Sequence, residues 1–193
     1  MINKTDFLRL KKELEDFEEQ RDRTITLSRE ILKASKQAIY SVHRHDMEEA
    51  KKLLKHAETK IKSIRKEVCN TPKLDFVGAY SAACQEYVEA KCYFWFIANS
   101  RIPSQKVLGV QVEDYLMGLC DLTGELSRKA VLSAIAKDYE MIVRIRNLVD
   151  EIHGLFLNLN LRNGELRKKS DSIKWNLKRI EEVLYDVKTK ARH

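Results

Sequence analysis

The sequence has few of the residues that interrupt helices. Its 193 residues include only 2 proline and 6 glycine, and these two residue types are the strongest local breakers of regular structure. Their scarcity argues against a fold rich in turns and favours long helices. Hydrophobic residues make up 44% and charged residues 34% of the chain, which is a globular balance rather than a disordered one. We therefore predict an all-α bundle that forms a single domain over residues 1–193.

The sequence shows no membrane-spanning run, no signal peptide and no zinc-ligand spacing. No apolar run approaches the roughly 20 residues that cross a bilayer, and the first twenty residues are too charged to be a signal peptide. The four cysteines, Cys69, Cys84, Cys92 and Cys120, show no C-x-x-C spacing, which makes a zinc site a poor interpretation. The last three lie among apolar neighbours and are predicted to be core thiols. We expect a reduced, cytoplasmic protein with no membrane partner.

The chain is basic. Its formal net charge is +7 and its isoelectric point is about 9.2. An excess of this size favours a polyanionic partner such as nucleic acid, although solubility alone explains it equally well.

Apolar residues recur at helical spacing along most of the chain and predict six or seven helices. Asn3 or Thr5 is expected to cap the first helix and Asp46 the second. Asn70-Thr71-Pro72 is expected to end the second helix. The predicted helices run from Asn3 or Thr5 to His43, over 47–69, 74–99, 112–136 and 138–158, and from Ser170 or Asp171 to Lys188. Loops are predicted at 100–109 and 160–164.

Four carboxylates stand inside the apolar stretches. Glu86 and Glu89 occur in QEYVEA, and Asp121 and Glu125 occur in CDLTGEL. A spacing of three or four residues places each pair on one helical face. Acidic side chains rarely leave water unless something compensates their charge. These four residues are therefore candidate metal ligands and catalytic groups, with interior salt bridges as the alternative.

The neighbours of these acids predict an open recess rather than a filled core. Small alanine side chains share a helical face with Glu86, and Gly118 and Gly124 lie near Asp121 and Glu125. A donor set made only of carboxylate oxygens favours Mg²⁺, with Mn²⁺ as a second candidate. Such an ion activates water and stabilises charge on a phosphodiester.

Basic residues on the first helix are candidate contacts to nucleic acid. Arg29, Lys33 and Lys36 share one face, and Arg21 precedes them. They are expected to contact phosphates or to form an ordinary solvated stripe. Arg128, one turn after Glu125, either contacts the scissile phosphate or neutralises the acids; the second role is favoured because buried acids need a counterion.

The QEYVEA motif, followed some thirty residues later by DYLMGLCDLTGEL, resembles the translin/TRAX family and its TRAX branch in particular. The segment LSREILKASKQAIYSVHR also fits that pattern, and SIKWNLKRIEEVLYDVK fits it more weakly. The resemblance implies an all-α bundle of about seven helices that assembles into a closed octameric shell. It also implies binding of single-stranded RNA, with single-stranded DNA as a second ligand. A compact sequence of this kind would suit an archaeal homologue that forms a homo-oligomer.

The resemblance further implies an activity. TRAX-like subunits supply a Mg²⁺-dependent endoribonuclease that cuts single-stranded RNA or a passenger strand, whereas translin subunits mainly bind nucleic acid. The family's catalytic acids correspond to Glu86, Glu89, Asp121 and Glu125, and all four are present. The expected function is thus RNA cleavage inside a shell, and the alternative is a non-catalytic binder of single-stranded RNA or DNA.

Overall fold

The computed structural model describes residues 3–71, 73–74 and 77–190, apart from the side chains of Cys69 and Lys190. Within these residues the protein has seven helices and no strand, which confirms the predicted all-α class. The helices are α1 (Lys4–His43), α2 (Met47–Asn70), α3 (Gly78–Asn99), α4 (Gln105–Leu108), α5 (Val112–Ile135), α6 (Tyr139–Leu157) and α7 (Glu165–Lys190). None of the described helices is both long and apolar enough to cross a membrane.

The two halves of the long helix α1 differ in burial. Its first turn is capped by Asn3, whose side chain accepts hydrogen bonds from the backbone N–H groups of Thr5 and Asp6. The first buried residue is Thr24, so about five turns precede any buried contact. Beyond that point a buried stripe, which includes Ile31 and Val42, faces the rest of the protein. The second half of α1 therefore anchors the fold.

The core is one continuous cluster built across neighbouring helices. Helix α1 packs against α2 and α3, α3 packs against α5, and α5 packs against both α6 and α7. Leu54, Tyr87, Leu122, Ile145 and Ile180 represent the buried side chains that successive helices contribute. Cys84, Cys92 and Cys120 are buried free thiols, as predicted. This order of packing brings the middle of α3 and the middle of α5 face to face.

Two helix starts differ from the sequence prediction. Helix α3 begins at Gly78 rather than near residue 74, because Leu74 is fully buried in the preceding turn. Residues 75–76 and Pro72 of the predicted helix boundary lie outside the described residues. Helix α7 begins at Glu165 rather than at Ser170 or Asp171. Ser170 is not a cap, because its hydroxyl donates to the Arg167 carbonyl inside the helix.

The loop predicted at 100–109 contains the short helix α4. This helix ends at Gly109, which has φ +63°. A Cβ at this position would lie 2.3 Å from Arg65 Nη1. The left-handed backbone favours glycine here, whereas the Arg65 guanidinium is the end of a flexible side chain that can move away.

Gly118 has a different role from the one predicted. A Cβ at this position would lie 2.6 Å from Val88 Cβ and 2.7 Å from the Gln85 carbonyl oxygen. The missing side chain is thus filled by α3 and leaves no recess. At Gly124, by contrast, the nearest atom is Asn176 Nδ2 at 3.9 Å. Gly118 lets α3 and α5 approach, and Gly124 alone leaves open space.

These two glycines should respond oppositely to alanine. Gly118→Ala is expected to lower the free energy of unfolding by about 1–3 kcal/mol, because the new methyl group collides with the α3 backbone. Gly124→Ala is expected to raise it by up to about 1 kcal/mol, because alanine favours helix and has room here. Urea denaturation of both variants measures the difference. Equal free energies of unfolding would contradict this account of the α3–α5 contact.

Candidate functional site

The four predicted carboxylates line one cavity. Its volume is about 640 Å³, and side chains from α1, α3, α5 and α7 surround it. Helix α3 supplies Glu86 and Glu89, and α5 supplies Asp121 and Glu125. Each pair lies on one face because residues three or four apart are neighbours on a helix. The close α3–α5 contact at Gly118, one turn before Asp121, then brings the two pairs together.

Glu89 is the most enclosed of these acids. Its residue exposure is 8%, and no described cation forms a salt bridge with it. The pKa of Glu89 is raised to about 8. Burial is the main cause, and the nearby charges of Glu86, Asp121 and Glu125 act in the same direction. Burial also raises the pKa of Glu86, although Lys36 partly opposes the shift. At neutral pH Glu89 therefore favours the protonated form when no cation is present.

The two acids of α5 are held by partners from other helices. Lys169 Nζ, on α7, bonds to Asp121 Oδ2. The same ammonium group donates to Gln85 Oε1 over 3.3 Å. The ammonium group of Lys169 thus compensates the negative charge of Asp121 in the metal-free protein.

Glu125 has a buried histidine as its partner. His43 Nε2 lies 2.5 Å from Glu125 Oε2, and because a carboxylate only accepts, the imidazole N–H is the donor. His43 Nδ1 lies 3.2 Å from the Tyr93 hydroxyl. The hydrogen bond from His43 lowers the pKa of Glu125, and the charges of His43 and Arg128 act in the same direction. Glu125 is therefore ionised and fixed in orientation, unlike Glu89.

The donor chemistry of this cavity fits a hard divalent cation, although the side chains are not assembled around one. Oxygen-only ligands suit Mg²⁺ or Mn²⁺, and Glu89 is a buried acid without a compensating charge. In the described part of the chain, however, no three His, Cys, Asp or Glu side chains form a group that could hold a metal ion as they stand. The physical reason is that Lys169 and His43 each engage one of the α5 carboxylates.

The basic residues predicted to contact nucleic acid separate into two groups. Lys36 and Arg128 line the cavity. Lys36 Nζ lies 3.9 Å from Glu86 Oε2, and Arg128 Nη1 lies 3.7 Å from Glu125 Oε2. Both side chains are more than half exposed. They therefore compensate the acids only loosely and keep donors free for a ligand.

The other three predicted basic contacts are not at the cavity. Arg29 and Lys33 are exposed on α1 and do not line it. Arg21 is paired with Glu18 at 3.2 Å and lies about four turns before Lys36. The structure thus does not gather Arg21, Arg29 and Lys33 with the carboxylates, and a contact to nucleic acid at these positions stays a prediction.

Sequence reasoning missed three residues that shape this site. His43 and Lys169 pair with acids 82 and 48 positions away, and no local pattern shows such a contact. Tyr40 lines the cavity from α1; it lies in the segment LSREILKASKQAIYSVHR but was not identified as a site residue. In the aromatic run on α3, Tyr93 and Phe96 are buried and Trp95 is exposed.

Three relatives place the sequence among known proteins. Translin from Gallus gallus is 45% identical over 78 residues, which cover 40% of this chain and 34% of the relative. The chain thus spans about a third of the length of the translins it matches. Protein MJ0175 from Methanocaldococcus jannaschii is 31% identical over 78% of this chain and 68% of its own. Translin-associated protein X from Rattus norvegicus is 25% identical over 96% of this chain and 78% of its own.

The fold is shared with solved C3PO structures, and the family follows from the sequence. The apo-NeC3PO crystal structure has a TM-score of 0.88 and 29% identity, and it covers 97% of this chain and 98% of its own. The complex of AfC3PO with duplex RNA has the same TM-score over 96% and 97% of the two chains, but its 24% identity shows the fold alone. The family model for translin matches residues 19–191. The chain belongs to the translin family.

Proposed function

We propose that this protein is a Mg²⁺-dependent endoribonuclease that cuts single-stranded RNA, as TRAX-like subunits of this family do. The observation that carries the proposal is the convergence of four carboxylates on one open cavity that also presents two exposed cations. A stability role alone does not explain this cluster, since burying Glu89 beside three other acids is unfavourable in the ionised form. Clusters of perturbed acids in a cleft are typical of functional sites.

Glu86, Glu89, Asp121 and Glu125 would hold the cation. When bound, Mg²⁺ neutralises their charge and supplies Lewis-acid stabilisation of the phosphodiester oxygens. The protein's own part is to hold the donors in place. His43 fixes Glu125 through its hydrogen bond, and an oriented carboxylate is a better ligand than a mobile one. Lys169 holds Asp121 in the metal-free protein.

The remaining side chains suit the handling of a phosphodiester. Lys36 and Arg128 flank the acids and are placed to bind the non-bridging phosphate oxygens. Glu89 is protonated near neutral pH in the metal-free protein, because its pKa is raised to about 8, so binding of the cation would require the loss of this proton.

An assembled shell of several copies is part of the proposal. Phe7, Leu8, Leu10 and Leu14 are large apolar side chains exposed on the first half of α1. Four such residues on one protruding segment favour contact with another surface. The simplest partner for this apolar surface is a second copy of this chain. The family resemblance implies that the resulting homo-oligomer is an octamer. That AfC3PO binds duplex RNA is compatible with a polynucleotide ligand for this fold.

The alternative is a translin-like oligomer that binds single-stranded RNA or DNA without cutting it. The identity to Gallus gallus translin is 45% over 78 residues, against 25% over 229 residues for translin-associated protein X, and this favours the second candidate. It predicts salt-sensitive binding and intact RNA in the presence of any divalent ion.

One experiment separates the two functions. An unstructured RNA labelled at either end is incubated with size-fractionated protein in Mg²⁺ or in EDTA. The proposal predicts internal cuts in Mg²⁺, none in EDTA, and activity that coincides with the assembled fraction. Binding without cleavage in Mg²⁺ and in Mn²⁺ would establish the alternative.

A further inference from the structure

One exposed aromatic ring stands at the carboxylate cavity. Tyr40 lies on α1 one turn after Lys36 and lines the same cavity. Its exposed fraction is 57%, so the ring contributes little to the core. Among the large aromatic side chains that are exposed in the described ranges, Tyr40 alone lines this cavity. An unfilled aromatic face beside charged groups is a feature that a ligand can use.

Arg44 holds this ring in one orientation. Its Nη1 donates to the Tyr40 hydroxyl over 3.1 Å, and its guanidinium carbon lies over the ring, 5.5 Å from the centroid. Arg44 is itself exposed, so the pair does not serve to fill the interior. A braced ring loses less conformational freedom when a ligand stacks on it.

The groups around Tyr40 match a nucleic acid strand better than an apolar protein surface. Lys36 on α1 and Arg128 on α5 both line the cavity, and both side chains are more than half exposed. Aromatic rings next to cations are the usual means of holding single strands, since the ring stacks on a base while the cations bind phosphates. A hydrophobic partner would instead have to cover four carboxylates.

We propose that Tyr40 stacks on an unpaired base of the RNA and thereby places the neighbouring phosphate over the carboxylates. This inference rests on the proposed function and adds to it the residue that selects for single strands. In a duplex both faces of an internal base are covered by its neighbours, so only an unpaired base can lie on the ring. Tyr40 is thus the specificity-determining residue, and Lys36 and Arg128 bind any strand by charge.

The test measures binding apart from cleavage. An unstructured RNA containing 2-aminopurine is titrated in EDTA at low salt, where Asp121 and Glu125 already have internal partners. Tyr40→Ala is expected to weaken binding by about 5- to 150-fold and to abolish the stacking quench of the fluorescence. Tyr40→Phe and Tyr40→Trp keep an aromatic face and should retain the stacking quench and bind far more tightly than Tyr40→Ala, although loss of the hydrogen bond from Arg44 should weaken binding slightly. A blunt duplex RNA of equal length should bind all four proteins within about twofold.

Tyr185 gives the matched control, because it is also an exposed tyrosine, at 69%, and lies outside the cavity, on α7. Tyr185→Ala should leave binding unchanged. Wild-type binding by Tyr40→Ala, equal losses on single-stranded and duplex RNA, or no binding by the wild type would each overturn the inference. If Tyr40→Ala weakens binding but the wild-type protein never cuts RNA, only the nuclease proposal fails. If the wild type cuts and Tyr40→Ala is unchanged, only the stacking proposal fails.

Discussion

Replacing Asp121 with asparagine is expected to lower the rate of Mg²⁺-dependent RNA cleavage by at least about 100-fold, which corresponds to about 2.7 kcal/mol of lost transition-state stabilisation. The amide keeps a neutral oxygen but loses the negative charge that would hold the cation. The change is nearly isosteric, and Asp121 is only partly buried, so the fold should persist. Initial cleavage rates with an end-labelled RNA, measured over a range of Mg²⁺ concentrations, test this expectation.

The control is the same aspartate-to-asparagine substitution at Asp171, which lies outside the cavity. Asp171 lies on α7, is 67% exposed and pairs only with Arg167 at 3.8 Å. Asp171→Asn should therefore cleave RNA at the wild-type rate. A contaminating nuclease would give equal rates in all three preparations. Full activity of Asp121→Asn, with an unchanged dependence on Mg²⁺, would remove Asp121 from the proposed ligand set.

The features of this site that could be predicted from the sequence are those that depend on residues close together in the chain. Helical spacing pairs Glu86 with Glu89, and Asp121 with Glu125, because both relations depend only on residues three or four positions apart. The helix caps at Asn3 and Asp46 were predictable for the same reason, since each side chain bonds to a backbone N–H within three residues. The family resemblance was needed to bring the two pairs into one site.

The parts that sequence could not supply depend on contacts between distant helices. Lys169, which lies before the predicted start of the last helix, is in α7 and contacts Asp121, because α7 begins five or six residues earlier than predicted. His43 was predicted only as the end of the first helix, yet its side chain is turned inward to Glu125 and Tyr93. Gly118 was interpreted as open space, whereas α3 fills it. Composition and spacing cannot distinguish an open position from a tightly packed one, since glycine occurs at both.

The second large effect expected is a loss of stability at alkaline pH that depends on Glu89. Burial raises the pKa of Glu89 to about 8 in the folded protein, whereas an exposed glutamate has a pKa of about 4.3. Between these two values the folded state holds a proton that the unfolded chain has released. The free energy of unfolding therefore falls as pH rises through this window, by at most about 1.4 kcal/mol per unit. Glu89→Gln has no charge to bury and should escape this loss.

Urea denaturation in EDTA at fixed protein concentration, at pH 5 and pH 8, measures this effect. Relative to wild type, Glu89→Gln is expected to gain roughly 2–4 kcal/mol between the two pH values, since Glu86 and the other acids share part of the electrostatic strain. Glu151→Gln, an exposed position on α6, should show a constant difference from wild type. At pH 8, Mg²⁺ should stabilise the wild type more than Glu89→Gln, because only the carboxylate gains from a bound cation. If the difference in free energy of unfolding between Glu89→Gln and wild type does not change with pH, Glu89 is not held in the neutral form. The charge of Glu89 in the metal-free cavity would then have to be compensated by another group.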